Sequence, residues 1–136
     1  MDIGRILPGI AILSGQIFVC GGEVDSKILA NGEVYDPQDD SWTPIANMMV
    51  PRCEFGLAAV DGCLYAFGGW VGEDIGGSIE MYDPALNEWR MQGTMQDPRQ
   101  ENHITAILVN LFIFMQVQHG NCVISRAYLY CWRMHA

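Results

Sequence analysis

The sequence predicts an all-β fold, built from two four-stranded antiparallel meanders and part of a third. Three observations predict it. The chain repeats itself at a fixed offset of 47 residues, its apolar segments are short and bounded by turn residues, and no segment carries a helical period. A period of this length indicates an array of similar structural units, so the fold follows from the structure of one unit.

The repeat runs without a gap from one end of the unit to the other. Residues 5–51 and 52–98 share 15 identities in 47 positions. Its most distinctive segment is "YDPQDDSW" (Tyr35–Trp42), which returns as "YDPALNEW" (Tyr82–Trp89). The sequence therefore predicts a first repeat over residues 1–51, a second over 52–98, a partial or degenerate third over 99–114 and a divergent tail over 115–136.

Each repeat contains signals for four strands. In the second copy, "FGLAAV" and "CLYAF" flank Asp61-Gly62, a pair that suits a type I′ hairpin turn because both residues accept positive φ. "SIEMYD" then alternates with a period of two, as a half-buried strand does. Asp83-Pro84 predicts the next turn, and a last short strand carries Trp89.

A four-stranded sheet with two apolar faces must stack on neighbours, and radial stacking of such sheets is the β-propeller. Propellers use 4–8 blades, so this chain is predicted to be an incomplete propeller whose end blades expose apolar faces. Self-association through these faces is therefore expected, and three chains of two blades would supply six. The repeated Tyr and Trp are interpreted as filling the space between blades.

These residues resemble the kelch repeat and the BTB-kelch family. The resemblance rests on an apolar strand, a Gly-Gly pair, Glu-x-Tyr-Asp-Pro, and a Trp six residues after the Asp. The matching residues are Gly21, Gly22, Tyr35, Asp36, Pro37 and Trp42 in the first repeat, and Gly68, Gly69, Tyr82, Asp83, Pro84 and Trp89 in the second.

The resemblance implies a six-bladed propeller that binds protein partners, actin among them, in the cytoplasm at the cytoskeleton. Full-length members of that family carry a BTB domain that dimerises and recruits a cullin-type ubiquitin ligase. Nothing in this sequence resembles that domain, so the expectation is a chain that presents partners without recruiting a cullin directly.

The repeat pattern breaks after Arg99. Leu108-Val109 stands where Asp61-Gly62 stood one period earlier, and no further Glu-x-Tyr-Asp-Pro follows. All 16 acidic residues lie within residues 1–101, which carry a net charge of −11, whereas the remainder has two arginines and no acid. This shift suggests a separate origin for the tail, and it supports the alternative that the chain is a truncated form without independent activity.

The candidate binding residues lie on the loops that follow each Gly-Gly pair, where the two copies differ most. Trp70 is the first candidate, on a glycine-rich loop without a counterpart in the first repeat, and aromatic residues often dominate interfaces. The alternative is that Trp70 packs on its own blade. The other candidates are Glu73, Asp74, Glu23, Asp25 and Lys27. Arg52 and Arg99 recur at the repeat boundary, which favours a structural role.

Composition excludes several function classes. A formal net charge of −9 disfavours nucleic acid and anionic membrane surfaces and favours partners with basic surfaces. Five cysteines without C-x-x-C spacing are typical of reduced cytosolic thiols, and no metal site or cofactor is expected. Galactose-oxidase-like enzymes share the propeller, but the sequence shows no clustering of Tyr, His and Cys for a copper site. The sequence therefore predicts a binding module and no enzyme.

Overall fold

The structure, a computed structural model, describes residue 1 and residues 4–94 with their side chains, and the backbone strands at 103–108, 112–118 and 121–124. These residues form strands joined by turns and loops, which confirms the all-β prediction. None of them belongs to a helix long and apolar enough to span a bilayer. In chain order the strands are β1 (Gly9–Leu13), β2 (Gln16–Cys20), β3 (Glu23–Val24), β4 (Lys27–Ile28), β5 (Gly32–Asp36), β6 (Ser41–Ile45), β7 (Gly56–Val60), β8 (Cys63–Phe67), β9 (Ser78–Asp83), β10 (Glu88–Thr94), β11 (His103–Leu108), β12 (Phe112–Gln118) and β13 (Asn121–Ile124).

Two four-stranded antiparallel meanders hold most of these strands. Blade 1 has the strand order β1-β2-β5-β6, and blade 2 has the same arrangement in β7-β8-β9-β10. A three-stranded sheet, β11-β12-β13, follows and is called the third sheet here. β7 lies beside β1, and β11 lies beside β7. The two blades and the third sheet thus follow one another as successive blades of an incomplete propeller do.

The hairpin turns follow the turn chemistry of the sequence. Ser14 and Gly15 have φ values of 52° and 77°, and Asp61 and Gly62 have 47° and 79°. Positive φ at both central residues is the type I′ conformation, whose twist matches that of the paired strands. Each turn therefore fixes the register of its hairpin, with Leu13 opposite Gln16 in blade 1.

The antiparallel order places two kinds of connection at opposite ends of the blades. The short turns within the β1–β2, β5–β6, β7–β8 and β9–β10 pairs lie at one end, the turn rim. The longer segments 21–31, 46–55 and 68–77 lie at the other end, the loop rim. Residues that differ between the repeats after each Gly-Gly are therefore gathered on the loop rim.

The hydrophobic core lies between the facing sheets of the two blades. Blade 1 contributes Phe18 and Cys20, and blade 2 contributes Leu64, Tyr82 and Trp89. Apolar contact between these side chains holds the two successive blades together. The same burial raises the pKa of the Cys20 thiol to about 12, although the Arg5 guanidinium acts in the opposite direction.

Strands also occur where the sequence predicts a divergent tail. β12 begins at Phe112 and continues to Gln118, beyond the predicted partial repeat, and β13 pairs with it from Asn121 to Ile124. β11 and β12 are separated by three residues, whereas two separate β7 from β8. The loss of Asp-Gly in this hairpin thus accompanies one more residue between the paired strands. Arg99 lies outside the described residues.

Candidate functional site

A buried arginine anchors blade 2 to the segment that precedes it. The Arg52 side chain is fully buried, and its Nη2 and Nε atoms donate to Glu80 Oε2 at 2.7 and 3.1 Å. Arg52 Nη1 donates to the carbonyl oxygens of Gly68 and Ser78 at 3.1 and 3.0 Å. Glu80 in turn accepts the backbone N–H groups of Met49 and Val50. A buried charge is tolerated when it is paired and hydrogen-bonded in this way.

The same arrangement recurs one period earlier in blade 1. Arg5 Nη2 lies 3.1 Å from Glu33 Oε2, and Arg5 Nη1 donates to the carbonyl oxygens of Gly21 and Asn31 at 2.9 and 3.0 Å. Arg5 Nε is buried without a hydrogen-bond partner among the described residues, whereas the equivalent atom of Arg52 binds Glu80. The structural role expected for Arg52 thus has a physical basis, and it extends to Arg5.

The Gly-Gly pairs permit these close approaches. Gly21, Gly22, Gly68 and Gly69 all have positive φ, between 61° and 91°. A Cβ built at Gly69 would lie 2.6 Å from the Cys53 carbonyl oxygen. Positive φ and missing space together require glycine here.

The Tyr-Asp-Pro and Trp positions also repeat in three dimensions. The Tyr35 and Trp42 rings lie 5.1 Å apart at 41°, and the Tyr82 and Trp89 rings have the same separation and angle. Asp36 and Asp83 each accept the backbone N–H two residues later, at 2.9 Å, in the turns that begin with Pro37 and Pro84. In blade 2 the ring pair is buried against blade 1, whereas in blade 1 it is partly exposed.

The candidate binding residues lie on two short hairpins at the loop rim. In blade 1, β3 and β4 pair Glu23 with Ile28 and Val24 with Lys27. In blade 2, Trp70 forms a bridge with Ile75, and the Val71 N–H donates to the Asp74 carbonyl at 2.9 Å. These positions correspond at the 47-residue offset. The expectation that the Trp70 loop has no counterpart is therefore wrong for its backbone.

The two hairpins keep the apolar residues at two positions and differ at the other four. Val24 and Ile28 return as Val71 and Ile75, and all four are half-buried. The positions that differ are the candidate residues: Glu23 is replaced by Trp70, Asp25 by Gly72 and Lys27 by Asp74, and Glu73 stands where blade 1 has Ser26. Asp25, Lys27, Glu73 and Asp74 are exposed, and Glu23 and Trp70 are half-buried. One backbone thus presents two different sets of side chains.

Backbone hydrogen bonds connect these hairpins across the blades. Ile6 and Glu23 exchange hydrogen bonds, and so do Cys53 and Trp70. The Glu54 N–H donates to the Leu7 carbonyl at 2.9 Å and joins the two pairs. The candidate residues therefore belong to one connected rim, in which Glu54 is a member that sequence comparison did not single out.

The electrostatics of the rim are acidic. Burial raises the pKa of the Cys53 thiol, and the carboxylates of Glu23 and Glu54 act in the same direction. Lys27 is the one basic residue on either hairpin, beside five acidic side chains at positions 23, 25, 54, 73 and 74. Among residues 4–94, no group of three or more His, Cys, Asp and Glu side chains is arranged to hold a metal ion.

Repeated blades that hold variable hairpins on one rim define a repeat protein of the β-propeller class, a scaffold for recognition by loops. Comparison with protein families assigns the unit: the model of the kelch motif matches residues 4–49 and 51–96. These matches cover more than half of the chain, and the chain belongs to the kelch-repeat family. Kelch repeats form protein-interaction modules.

Curated relatives match a smaller part of the chain. One F-box/kelch-repeat protein of Arabidopsis thaliana is 37% identical over 54 residues, which is 40% of this chain and 14% of that protein. Another F-box/kelch-repeat protein of the same plant is 39% identical over 44 residues, which is 30% of this chain and 13% of its own length. The match therefore spans about one seventh of these relatives.

Proposed function

We propose that the loop rim of this chain is a protein-binding surface for a partner with a basic surface, and that Trp70, Glu73 and Asp74 form its centre. The observation that carries the proposal is the pair of hairpins with one backbone and different side chains at four of their six positions. A fixed backbone holds the binding side chains without a large ordering cost on binding, and the exchange of Glu23 for Trp70 gives blade 2 an aromatic contact.

Actin is the partner proposed from the resemblance to BTB-kelch proteins, with a cytoplasmic, cytoskeleton-associated location. The two curated relatives are named as F-box/kelch-repeat proteins and not as BTB-kelch proteins. Membership of the BTB-kelch family, and a role as a relative of ubiquitin ligase adaptors, are therefore part of this proposal. We propose no enzymatic activity, because burial and the carboxylates of Glu23 and Glu54 raise the pKa of the Cys53 thiol on the rim, and no nucleophile is paired with a base among the described rim residues.

Co-sedimentation with filamentous actin tests both the partner and the surface. We expect the wild-type chain to pellet with filaments and Trp70→Ala to weaken binding about tenfold or more, the range found for interface hot spots. Leu86→Ala is the matched control, because Leu86 is an exposed apolar side chain on the turn rim. Equal losses in the two variants would contradict the placement of the surface.

Charge reversal tests the basic nature of the partner. Glu73→Lys with Asp74→Lys should weaken binding most at low salt, since exposed charges steer association and are screened by salt. Asp39→Lys makes the same kind of change on the turn rim and should have little effect. If no variant binds and the wild type does not bind either, the alternative of a fragment without independent activity is supported.

A further inference from the structure

The outer strand of blade 2 lies at an open edge of its sheet. β10 pairs with β9 on one side, and no strand in the part of the chain that the structure describes pairs with it on the other. β10 is seven residues long, from Glu88 to Thr94. An edge of this length is a template for a further strand unless the sequence protects it.

The two blades differ in the protection of this edge. In blade 1, Pro44 of the outer strand lies opposite Glu33. In blade 2, Met91 has the same register position, opposite Glu80. Proline has no N–H group and is one of the residues that keep an edge strand from pairing with other chains. Met91 supplies the N–H group again, and its side chain is 44% exposed. The edge of blade 2 therefore lacks the protection that the edge of blade 1 has.

The backbone groups at this position point away from the blade. A proline within a sheet is accommodated where its nitrogen lies on the open side, which places the nitrogen of Pro44 there. Ale two residues further on the direction is the same, because the Ala46 N–H donates to Asn87 Oδ1 and the Ala46 carbonyl accepts the Trp89 indole N–H, each at 2.9 Å and outside its own sheet. Since Met91 has the register position of Pro44, its N–H points to the open edge. The backbone groups of Trp89, two residues earlier, point the same way, because these directions alternate along a strand.

The charges on β10 define the kind of strand that fits it. Glu88 and Arg90 lie on either side of Trp89 in the sequence, and both side chains are more than half exposed. In antiparallel pairing, opposite charges stabilise a pair of residues that lie directly opposite each other. A strand complementary to β10 therefore has an acidic residue, any residue and a basic residue, in this order from its N-terminus. β10 itself has this order, so it is its own complement.

The charge pattern also selects one register for two copies of β10. Pairing centred on Trp89 places Glu88 of each copy opposite Arg90 of the other. It also lets the two Trp89 residues exchange backbone hydrogen bonds across the open edge. Pairing centred on Arg90 would place the two guanidinium groups opposite each other, and pairing centred on Met91 would place Arg90 opposite the uncharged Gln92. Only the first of these registers makes two contacts between opposite charges.

We propose that β10 is a dimerisation edge, to which β10 of a second copy of this chain adds as an antiparallel strand, across a two-fold axis at Trp89. The pairing joins two four-stranded blades into one continuous sheet. Main-chain hydrogen bonds stabilise strand addition of this kind, and the two contacts between Glu88 and Arg90 determine its register. The chain as a whole is acidic, which opposes contact between other parts of two copies, whereas β10 carries one charge of each sign.

Sedimentation velocity over a concentration series tests the association. We expect a dimer with twice the 15.1 kDa mass of one chain. Met91→Pro should raise the dimer dissociation constant at least about tenfold, because each copy loses an N–H group directed at the other strand. Blade 1 has proline at this register position, so the fold should tolerate the change, and urea denaturation checks this. Met91→Ala is the matched control, since it keeps the N–H group and should change the dissociation constant by less than about threefold.

Exchange of the two charges tests the register. Glu88→Arg and Arg90→Glu, each alone, place like charges opposite each other and should each raise the dissociation constant about tenfold. Both side chains are exposed, so neither substitution disturbs the core. A mixture of the two variants places opposite charges at both positions again. The mixed dimer should therefore form at concentrations at which neither variant associates alone.

Three results would overturn the proposal. The first is a wild-type chain that stays monomeric up to about 1 mM, beyond the range in which even a small interface is useful. The second is a dimer that Met91→Pro leaves unchanged or that Met91→Ala weakens equally, because the backbone edge would then not carry the contact. The third is a mixture of the two charge variants that forms no mixed dimer, which would exclude the register centred on Trp89.

Discussion

Loss of the buried charge on Glu80 should destabilise the chain by about 3–5 kcal/mol, the range found when one partner of a buried ion pair is removed. The substitution is Glu80→Gln, which keeps the volume of the side chain. Arg52 and Glu80 are both fully buried and 2.7 Å apart, so the guanidinium would remain without its counter-charge. The Gln amide adds a second cost. Glu80 accepts N–H groups with both oxygens, and an NH2 group in either position would face a donor.

Urea denaturation followed by tryptophan fluorescence measures this loss at a fixed protein concentration. The matched control is Glu88→Gln, because Glu88 pairs with Arg90 at 3.2 Å with both side chains more than half exposed. Exposed pairs contribute at most about 1 kcal/mol, so the control should change little. Equal effects of the two substitutions, or a loss below about 1 kcal/mol for Glu80→Gln, would refute the argument that the buried pair supports the blade. The double variant Arg52→Met/Glu80→Leu should cost less than the sum of the single variants, since it leaves no unpaired charge.

Three further substitutions test the inter-blade contact, the core thiol and the glycine pair. Trp89→Phe removes the indole N–H that donates to the Ala46 carbonyl and should lower the free energy of unfolding by about 1 kcal/mol. Trp42→Phe should lower the free energy of unfolding of the monomer by less. An equal loss in the two variants would argue against a contribution of the Trp89–Ala46 hydrogen bond. The pKa of Cys20 is raised from 9.0 to about 12, so the stability gained by keeping this thiol neutral is complete below pH 9 and lost as pH rises towards 12. Denaturation at pH 8 and pH 10.5 should therefore show a smaller loss with pH for Cys20→Ala than for the wild type, and parallel losses would contradict this. Gly69→Ala should cost more than about 2 kcal/mol in thermal or urea unfolding, because φ is +79° and the new Cβ meets a carbonyl oxygen; a cost within about 0.5 kcal/mol would show that the loop relaxes.

The blade architecture could be predicted because it depends on local signals. Asp61-Gly62 selects the hairpin turn, and the alternation in "SIEMYD" places a strand that the structure has at Ser78–Asp83. The 47-residue offset then transfers each prediction from one blade to the other.

The buried ion pairs were harder to foresee. Arg52 and Glu80 lie 28 residues apart, and nothing local indicates that they meet. The signal was present in the repeat itself, since Arg5 and Glu33 return as Arg52 and Glu80 with opposite charges at a fixed spacing. Only the folded blade brings the two positions together.

The hairpins of the loop rim were partly hidden by their own variability. Glu23 and Trp70 share a backbone position but differ in size, charge and polarity. The sequences of the two loops therefore give no sign that their backbones are alike. The retained Val71 and Ile75 indicate the common hairpin once the backbone is known. Conversely, the exposure of Ile10 depends on whether a neighbouring blade is present, which a single repeat does not encode.

The position of the arginine within the unit determines where the repeat can be cut and joined. Arg52 precedes β7 by four residues, and its backbone also binds the loops of blade 1, because Gly22 donates to the Arg52 carbonyl and Arg52 donates to that of Leu29. A module excised at the strand boundaries, from Gly56 to Thr94, would keep Glu80 and lose its cation. A designed array of identical copies should therefore be joined between Pro51 and Arg52, so that every copy carries both charges.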